Sequence, residues 1–411
     1  MAHDEFTRRR LLAASSSALA LYGTAARASG VAVTKNLTDF GPAPGDGSDI
    51  STTIAAAHAF ALANGGGCKI MWPAGTFRTS IAGLTLSASY YQHEGVRGET
   101  TLIPTFQGCP MAVGSLTDSH VEQAGIRGIS FAAGAPQTSG SAWRFNQGVR
   151  CFIEDSEAFG FYDGLVFGSD DFGFQTTNIG RITRLRGGFQ RHGIVMSSQA
   201  SLSTEGPCQF SSNGVVDGAG ILISGAMDGF FPDDGLAIDG FARGARITTA
   251  AANAANIRLR GSLANFRLAG LHIDLSGTGG LNGLSTSSDF QMFPALSPAG
   301  SADGIYIGNS GSGVIQQIQL DLICSDVPRR VVNAAARIQD ARFRILSVRG
   351  GAEAAGTFPG MEFAGLAHQN VTLDACEFAG QHSYGVQGHH SIGGFNDIGT
   401  TAPGAVHGVF A

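Results

Sequence analysis

Charged residues are scarce in this sequence, and long apolar runs are absent. Charged side chains make up 14% of the 411 residues, against about a quarter in ordinary domains. No apolar run reaches the roughly 18 residues of a membrane-spanning helix, and a hydrophobic fraction of 43% excludes a disordered chain. Only 13 prolines accompany 60 glycines, which excludes collagen-like repeats. Glycine this frequent also disfavours a helical bundle, because it costs up to about 1 kcal/mol at a helix-interior site. A strand-rich, turn-rich protein remains.

Cysteine spacings typical of metal sites are absent as well. The six cysteines include no CxxC pair, and Cys151, Cys324 and Cys376 lie in apolar, strand-like runs. We predict that the cysteines are small core residues rather than a disulfide framework. No metal site is predicted, since the one histidine pair, His389-His390, would point to opposite faces of a strand.

Residues 1–28 are predicted to be an export signal. Arg8-Arg9-Arg10 precede an apolar run that ends at Ala26-Arg27-Ala28. The arginine pair resembles a twin-arginine signal, so we expect a periplasmic or secreted protein. The alternative is a basic amphipathic helix. The net charge is −6 and no basic run follows the leader, so nucleic acid is not an expected partner.

The rest of the chain repeats a glycine followed by alternating apolar residues. The copies are Asp163-Gly164-Leu165-Val166-Phe167, His192-Gly193-Ile194-Val195-Met196, Ala219-Gly220-Ile221-Leu222-Ile223, Asp303-Gly304-Ile305-Tyr306-Ile307, Pro359-Gly360-Met361-Glu362-Phe363 and Tyr384-Gly385-Val386. The glycines are 29, 27, 84, 56 and 25 residues apart, and 84 and 56 are multiples of 28. A second apolar track keeps step upstream, and no copy shows ten residues of helical periodicity. A period in the twenties without helices indicates a solenoid of stacked strands, and a β-sandwich or propeller is the alternative. We therefore expect Leu165, Ile194, Ile221 and Ile305 to share one inward column.

The N-terminal segment indicates a family. Asp39-Phe40-Gly41 and Asp46-Gly47 precede an alanine-rich, helix-compatible run from Ser51 to Ala63, and Pro73-Ala74-Gly75-Thr76-Phe77 follows. These motifs resemble the opening of the pectate-lyase-like superfamily of right-handed parallel β-helices. The resemblance implies an all-β solenoid with an N-terminal capping helix that covers its open end. Together with the predicted export signal, this divides the chain into the leader (1–28), a cap segment (29–80) and a parallel β-helix (81–411).

Two kinds of candidate catalytic residue follow. Asp163 and His192 precede successive landmark glycines, so they should be neighbours about 4.8 Å apart, within reach of a carboxylate–imidazole hydrogen bond. Two acidic pairs, Asp170-Asp171 and Asp233-Asp234, lie in turns where like charges raise one pKa and favour acid/base chemistry. All of these residues could instead be ordinary turn residues.

The aromatic and basic neighbours of these acids are candidate substrate-binding residues. They are Phe172, Phe230, Phe231, Arg184 and Arg191. Paired acids suit glycoside hydrolysis, whereas a base with cations suits β-elimination next to a uronate carboxylate. The polygalacturonase motif N-T-D is absent. No cofactor is predicted, although calcium would be the expected cation if the protein is a lyase.

The predicted function is an exported protein that cleaves a polysaccharide by hydrolysis or β-elimination. The alternative is a non-catalytic polysaccharide-binding or adhesion β-helix, for which a spike-like trimer would be expected. The Gly-, Ser- and Pro-rich segment from Ser276 to Gly300 interrupts the repeat. We predict that it is a loop that projects beside the groove and covers bound sugar.

Overall fold

A computed structural model describes most of the chain after the leader. The described residues are 30–117, 121–167, 178–197, 200–212, 217–225, 229–249, 253–294, 302–350, 356–364 and 367–411. They form a right-handed parallel β-solenoid of about 11 turns. The leader and the acidic pair Asp170-Asp171 lie outside the described residues.

Each turn contributes strands to three stacks, which we name A, B and C. Stack A contains β1 (Val33–Asn36), β3 (Cys68–Met71), β6 (Gln92–Glu94), β9 (Gly125–Arg127), β12 (Val149–Glu154), β14 (Asn178–Thr183), β16 (Ala200–Glu205), β19 (Gly229–Phe231), β22 (Ala254–Leu259), β25 (Leu281–Thr286), the first parts of β28 (Ile315–Ser325) and β30 (Ile338–Gly350), β32 (His368–Asp374), β35 (Ile392–Gly393) and β36 (Asn396–Ile398). Stack B contains β2 (Asp46–Asp49), β4 (Gly75–Thr79), β7 (Thr100–Pro104), β10 (Ile129–Ala132), the first parts of β13 (Glu157–Phe167) and β15 (Arg186–Met196), β17 (Cys208–Ser212), β20 (Leu236–Asp239), β23 (Ser262–Phe266), β26 (Phe290–Pro294), the second parts of β28 and β30, and β33 (Glu377–Gly380).

Stack C begins each glycine-marked repeat. It contains β5 (Thr85–Leu86), β8 (Ala112–Val113), β11 (Ser141–Phe145), the second parts of β13 and β15, β18 (Ala219–Ile223), β21 (Arg243–Ile247), β24 (Ala269–Leu275), β27 (Asp303–Asn309), β29 (Val332–Ala334), β31 (Met361–Phe363) and β34 (Val386–Gln387). In all three stacks a strand pairs in parallel with its equivalent one turn later, as β13 does with β15. Equivalent residues of successive turns therefore form columns along the solenoid.

The predicted capping helix has the expected bounds. Helix α1 spans Ser51–Ala63 and buries Ile54, Ala57 and Ala61 against the core. The short 3₁₀ segment Leu37–Phe40 packs beside it, and the rings of Phe40 and Phe60 lie 5.3 Å apart. β1 pairs with β3 and is the first strand of stack A, so it marks the first turn of the solenoid. The helix follows β1 in the chain and packs on the core of this turn, which confirms the capping helix.

The predicted inward column is confirmed. Leu165 pairs with Ile194 and Ile194 with Ile221, and the column then continues through Ala245 and Leu271 to Ile305. All of these side chains are at most 2% exposed. The interval of 84 residues therefore holds three turns, two of which carry glycines that the sequence pattern hid, Gly244 and Gly270.

Close approach of the next turn explains the landmark glycines. A Cβ placed on Gly193, Gly220, Gly244 or Gly270 would lie 2.6 to 2.9 Å from the carbonyl oxygen of the following landmark glycine. Real Cβ atoms do not approach a backbone oxygen so closely, so only glycine fits at these four positions. The regular spacing of these glycines in the sequence therefore results from contacts between neighbouring turns.

The prediction for Ser276–Gly300 is wrong. Within this segment Leu281–Thr286 and Phe290–Pro294 form β25 and β26, which continue stacks A and B, and Leu281, Phe290 and Met292 point into the core. Only the inward-pointing, alternate residues of these strands need to be apolar. The outward-pointing residues are polar, so the sequence of the two strands resembles that of a loop. Residues 295–300 lie outside the described part.

The cysteines are core residues, as expected. All six are free thiols, and five are buried. Burial raises the pKa of the Cys151 thiol to about 12 and that of Cys208 to about 11. Among the described residues, no helix is long and apolar enough to cross a membrane.

Candidate functional site

Asp163 and His192 lie where the repeat places them, at the start of stack C. They are paired neighbours on β13 and β15, and both are at least 92% buried. The Asp163 carboxylate, however, does not bond the imidazole. It accepts two hydrogen bonds from Arg191, of 2.9 and 2.6 Å, and one of 3.2 Å from the backbone N–H of His192.

The His192 imidazole is held by the backbone instead. Its Nδ1 accepts a hydrogen bond of 3.0 Å from the N–H of Ala219, and burial lowers its pKa to about 4. Arg191 also lies over the ring of Tyr162, 4.5 Å from its centre. These hydrogen bonds connect the first residues of stack C on three successive turns, those of Asp163, His192 and Ala219. Any catalytic role of Asp163 or His192 remains a prediction.

Asp233 and Asp234 lie at a different corner, in the turn after β19. Asp233 accepts hydrogen bonds from the Thr204 hydroxyl at 3.2 Å and from the N–H of Gly206. Asp234 is exposed and lies 3.5 Å from Arg260. The structure does not bring this pair together with Asp163 and His192, because the two groups belong to stacks A and C.

The predicted substrate-binding residues separate in the same way. Phe230 points into the core and is fully buried, which leaves no ring face for a sugar, whereas the adjacent Phe231 is 45% exposed. Arg184 forms two hydrogen bonds with Asp155, of 2.6 and 2.7 Å, at the corner between stacks A and B. Phe172 lies outside the described residues, as do Asp170 and Asp171.

A column of polar residues on the outer face of stack C was not predicted. On successive turns the residue two positions after the landmark glycine changes from apolar to polar. The column runs Val166, Val195, Leu222, Arg246, His272, Tyr306, Asn333, Glu362 and Gln387. Its polar part brings a histidine, a tyrosine, an arginine and an acid to one face.

His272 is the centre of this column. Its Nδ1 accepts a hydrogen bond of 3.1 Å from Nε of Arg243, which also pairs with Asp217. Burial, together with the positive charges of Arg243 and Arg246, lowers the pKa of His272 to about 4. The imidazole is therefore neutral at neutral pH, and its hydrogen is on Nε2. The Tyr306 ring lies 4.8 Å from it, centre to centre.

The next two turns carry a network of acids and arginines. The buried Asp303 carboxylate accepts hydrogen bonds from Asn333 Nδ2 at 3.0 Å and from the backbone N–H of Arg330 at 3.3 Å. The Arg330 guanidinium lies 3.9 Å from Asp303 and pairs with Glu362. One guanidinium thus holds two carboxylates beside Tyr306, and Phe358 packs against it at 4.8 Å.

A signal for this column exists in the sequence. Tyr306 and Glu362 each stand two residues after a landmark glycine that the repeat analysis had identified. The repeat pattern draws attention to the residue before the glycine, where Asp163 and His192 stand, and not to the residue two positions after it. Arg246 and His272 follow Gly244 and Gly270, which the irregular spacing concealed. Knowing the turn register would have shown all four in one column.

No cluster of acidic side chains marks a calcium site among the described residues. Nowhere in the described part do three or more His, Cys, Asp or Glu side chains gather closely enough to hold a metal ion. The carboxylates of Asp217, Asp303 and Glu362 are each paired with arginine instead. No chemical step is therefore assigned to calcium.

Comparisons with known proteins show the fold. No family model matches the chain, and no curated protein matches it. Among solved structures, the A-module of the mannuronan C-5 epimerase AlgE4 from Azotobacter vinelandii is 17% identical, with 92% of this chain and 99% of that chain covered and a TM-score of 0.53. A mutant tailspike protein of E. coli bacteriophage HK620, in complex with a pentasaccharide, is 14% identical, with 89% and 80% covered and a TM-score of 0.61. The shared fold is the right-handed parallel β-helix. Membership of the pectate-lyase-like superfamily and the export signal remain predictions.

Proposed function

We propose that the protein acts outside the cytoplasm on a uronate-containing polysaccharide at the outer face of stack C. The reaction is removal of the proton next to the uronate carboxylate, followed by β-elimination. The observation that carries the proposal is a neutral His272 beside Tyr306 with arginines on the neighbouring strands. The solved β-helix structures named above, one of a mannuronan epimerase and one bound to a pentasaccharide, support polysaccharide as the substrate class.

The roles follow from the chemistry of the side chains. Tyr306 acts as the phenolate, after its hydroxyl proton has left to solvent. It accepts the α-proton, and the electrons of the C–H bond form the new double bond as the glycosidic C–O bond breaks. Negative charge grows on the carboxylate, where Arg246 and the Nε2–H of His272 stabilise it. The leaving oxygen takes a proton from solvent or from Tyr306. A positioned proton carrier contributes about 10²- to 10⁴-fold to such a step.

Hydrolysis is the second candidate, and one observation favours it. Asp303 and Glu362 approach the same guanidinium, that of Arg330, so two carboxyl groups lie on one face. Glycosidases use such pairs at about 5 Å for retention or about 6.5 to 9.5 Å for inversion. Elimination ranks first because both carboxylates are already engaged by arginine.

The test incubates the intact protein with mannuronan and with polygalacturonate in D₂O. Absorbance of unsaturated ends together with new reducing ends indicates elimination, and reducing ends alone indicate hydrolysis. Deuterium uptake at the α-carbon without cleavage indicates proton exchange of the epimerase type. None of the three on any uronate polymer would contradict the proposal.

Tyr306→Phe isolates the proton carrier. We expect turnover to fall by about 10²-fold or more with an unchanged melting temperature, because only a half-exposed hydroxyl is lost. Tyr384→Phe is the matched control, since Tyr384 is also half-exposed at stack C but packs on His407 at the end of the solenoid. Equal activity of both variants would remove Tyr306 from the mechanism.

A further inference from the structure

Two shallow depressions lie in line on the outer face of stack A, away from stack C. The first, of about 420 Å³, is lined by Arg127, Arg150, Phe152 and Arg181 among others. The second, of about 350 Å³, is lined by Phe231, Arg258 and amide side chains. One column joins them, because Phe152 pairs with Arg181, Arg181 with Ser203, and Ser203 with Phe231. We name this surface the stack A track.

Phe231 lies flat on the track. The side chain is 45% exposed, and its ring folds back over Gly229, where an added Cβ would collide with the ring carbons. Glycine at this position therefore allows the ring to rest on the strand with one face toward solvent. Arg258 is its partner on the next strand. A flat aromatic face beside polar donors suits the apolar face of a sugar ring.

Four polar residues that line the depressions have left-handed backbone. Gln123, Arg150, Asn256 and Gln317 have φ between 53° and 57°, although glycine occupies the same column at Gly283. A non-glycine residue in this conformation costs about 1 kcal/mol or more. Here this conformation places amides and a guanidinium along the track.

Arginines line the first depression, and one of them has no acidic partner among the residues that the structure describes. The Glu154 carboxylate, 7% exposed, pairs with Arg127 at 2.7 Å and with Arg181, which fixes both guanidiniums. Arg150 is exposed and has no ion pair among the described residues. Arg127 and Arg181 also contact Glu94 at 3.9 Å and Glu205 at 3.4 Å, so Arg150 is the positive group of this depression that is available to an anionic ligand.

We propose that the stack A track binds an extended, carboxylate-bearing glycan at a site separate from the reaction site. Arg150 contacts the carboxylates, and Phe231 stacks on a sugar ring about three turns, or roughly 14 Å, further along. The uronate class deepens the proposed function and rests on it in part. The location of the stack A track does not depend on the proposed function, because it follows from the positions of Arg150 and Phe231.

The test measures the dissociation constant of a mannuronate hexasaccharide by calorimetry on the Tyr306→Phe protein, so that the ligand is not consumed. Phe231→Ala should weaken binding about five- to tenfold through the lost ring face. Arg150→Gln should weaken it about fivefold at low salt, with the difference shrinking as salt screens the charge. A neutral glucan hexasaccharide should bind more weakly than the uronate.

Matched controls are available on stack B. Phe159→Ala removes an equally exposed ring, of 46% exposure, and Arg349→Gln changes an arginine with the same φ of 56°. Both control variants should bind the mannuronate hexasaccharide with the same dissociation constant as the Tyr306→Phe parent. The track is contradicted if Phe231→Ala and Arg150→Gln also bind as the parent does, or if the neutral glucan binds equally well. The proposed function fails in a different way: the protein with Tyr306 intact then binds the uronate hexasaccharide but never converts it.

Discussion

The outer faces of stacks A and C are built by the same turns but carry their polar residues differently. On stack C the acids and imidazoles are largely buried and held by neighbours, as Asp163 is by Arg191 and His272 is by Arg243. On stack A an arginine and an aromatic ring remain open to solvent, at Arg150 and Phe231. Buried, oriented groups with a shifted pKa suit chemistry, whereas exposed rings and guanidiniums suit binding. One repeat can therefore support both on different faces.

Acid sensitivity should reside in stack C. His192 has a pKa of about 4 in the folded protein and of about 6.5 when unfolded, because burial disfavours its charged form. The unfolded chain thus binds more protons between these values. Stability is complete above pH 6.5 and falls by about 3 kcal/mol per such histidine as the pH drops to 4.

Urea unfolding between pH 4 and pH 7 measures this slope. His192→Asn keeps a hydrogen-bond acceptor for the Ala219 N–H and should flatten the slope by up to one proton. His407→Asn, at an exposed site, should leave it unchanged. An unchanged slope in His192→Asn would show that His192 is not the source.

Glycine-to-alanine substitutions should affect stability on stack C and glycan binding on stack A. Gly193→Ala places a Cβ 2.6 Å from the Gly220 carbonyl oxygen at the start of stack C, and we expect a loss of about 1 to 3 kcal/mol in unfolding free energy. Gly229→Ala on stack A meets only the Phe231 ring, which can move. It should leave the melting temperature nearly unchanged and weaken glycan binding. Equal destabilisation by the two would remove the distinction.

The smallest effect is expected at Arg184, a residue that the sequence indicated as substrate-binding. Its side chain is 40% exposed and paired with Asp155 outside both depressions. Arg184→Gln should cost less than about 1 kcal/mol, as exposed ion pairs do, and should leave the dissociation constant for the uronate hexasaccharide unchanged. A weakened complex would extend the stack A track to this corner.

The sequence by itself determined the fold, the cap and the inward column. Contacts between neighbouring turns impose a local rule, glycine where two turns meet and an apolar residue next to it, and the rule repeats along the chain. The column from Leu165 to Ile305 follows from this rule, whereas the helix Ser51–Ala63 follows from its alanine-rich run and the motifs that flank it. The rule fails at Ser276–Gly300, because strands that bury only alternate residues can look like a loop.

Only the tertiary structure decided which polar residues share a face. His272, Tyr306 and Glu362 are 34 and 56 residues apart in the chain, and they meet on one column because each turn has its own length. Asp163 and Asp233 were both candidate catalytic residues in the sequence, but they lie on different stacks. Burial also divided adjacent residues, since Phe230 faces the core and Phe231 faces solvent. Register and direction depend on how the turns stack, and a linear pattern with variable turn lengths does not specify them.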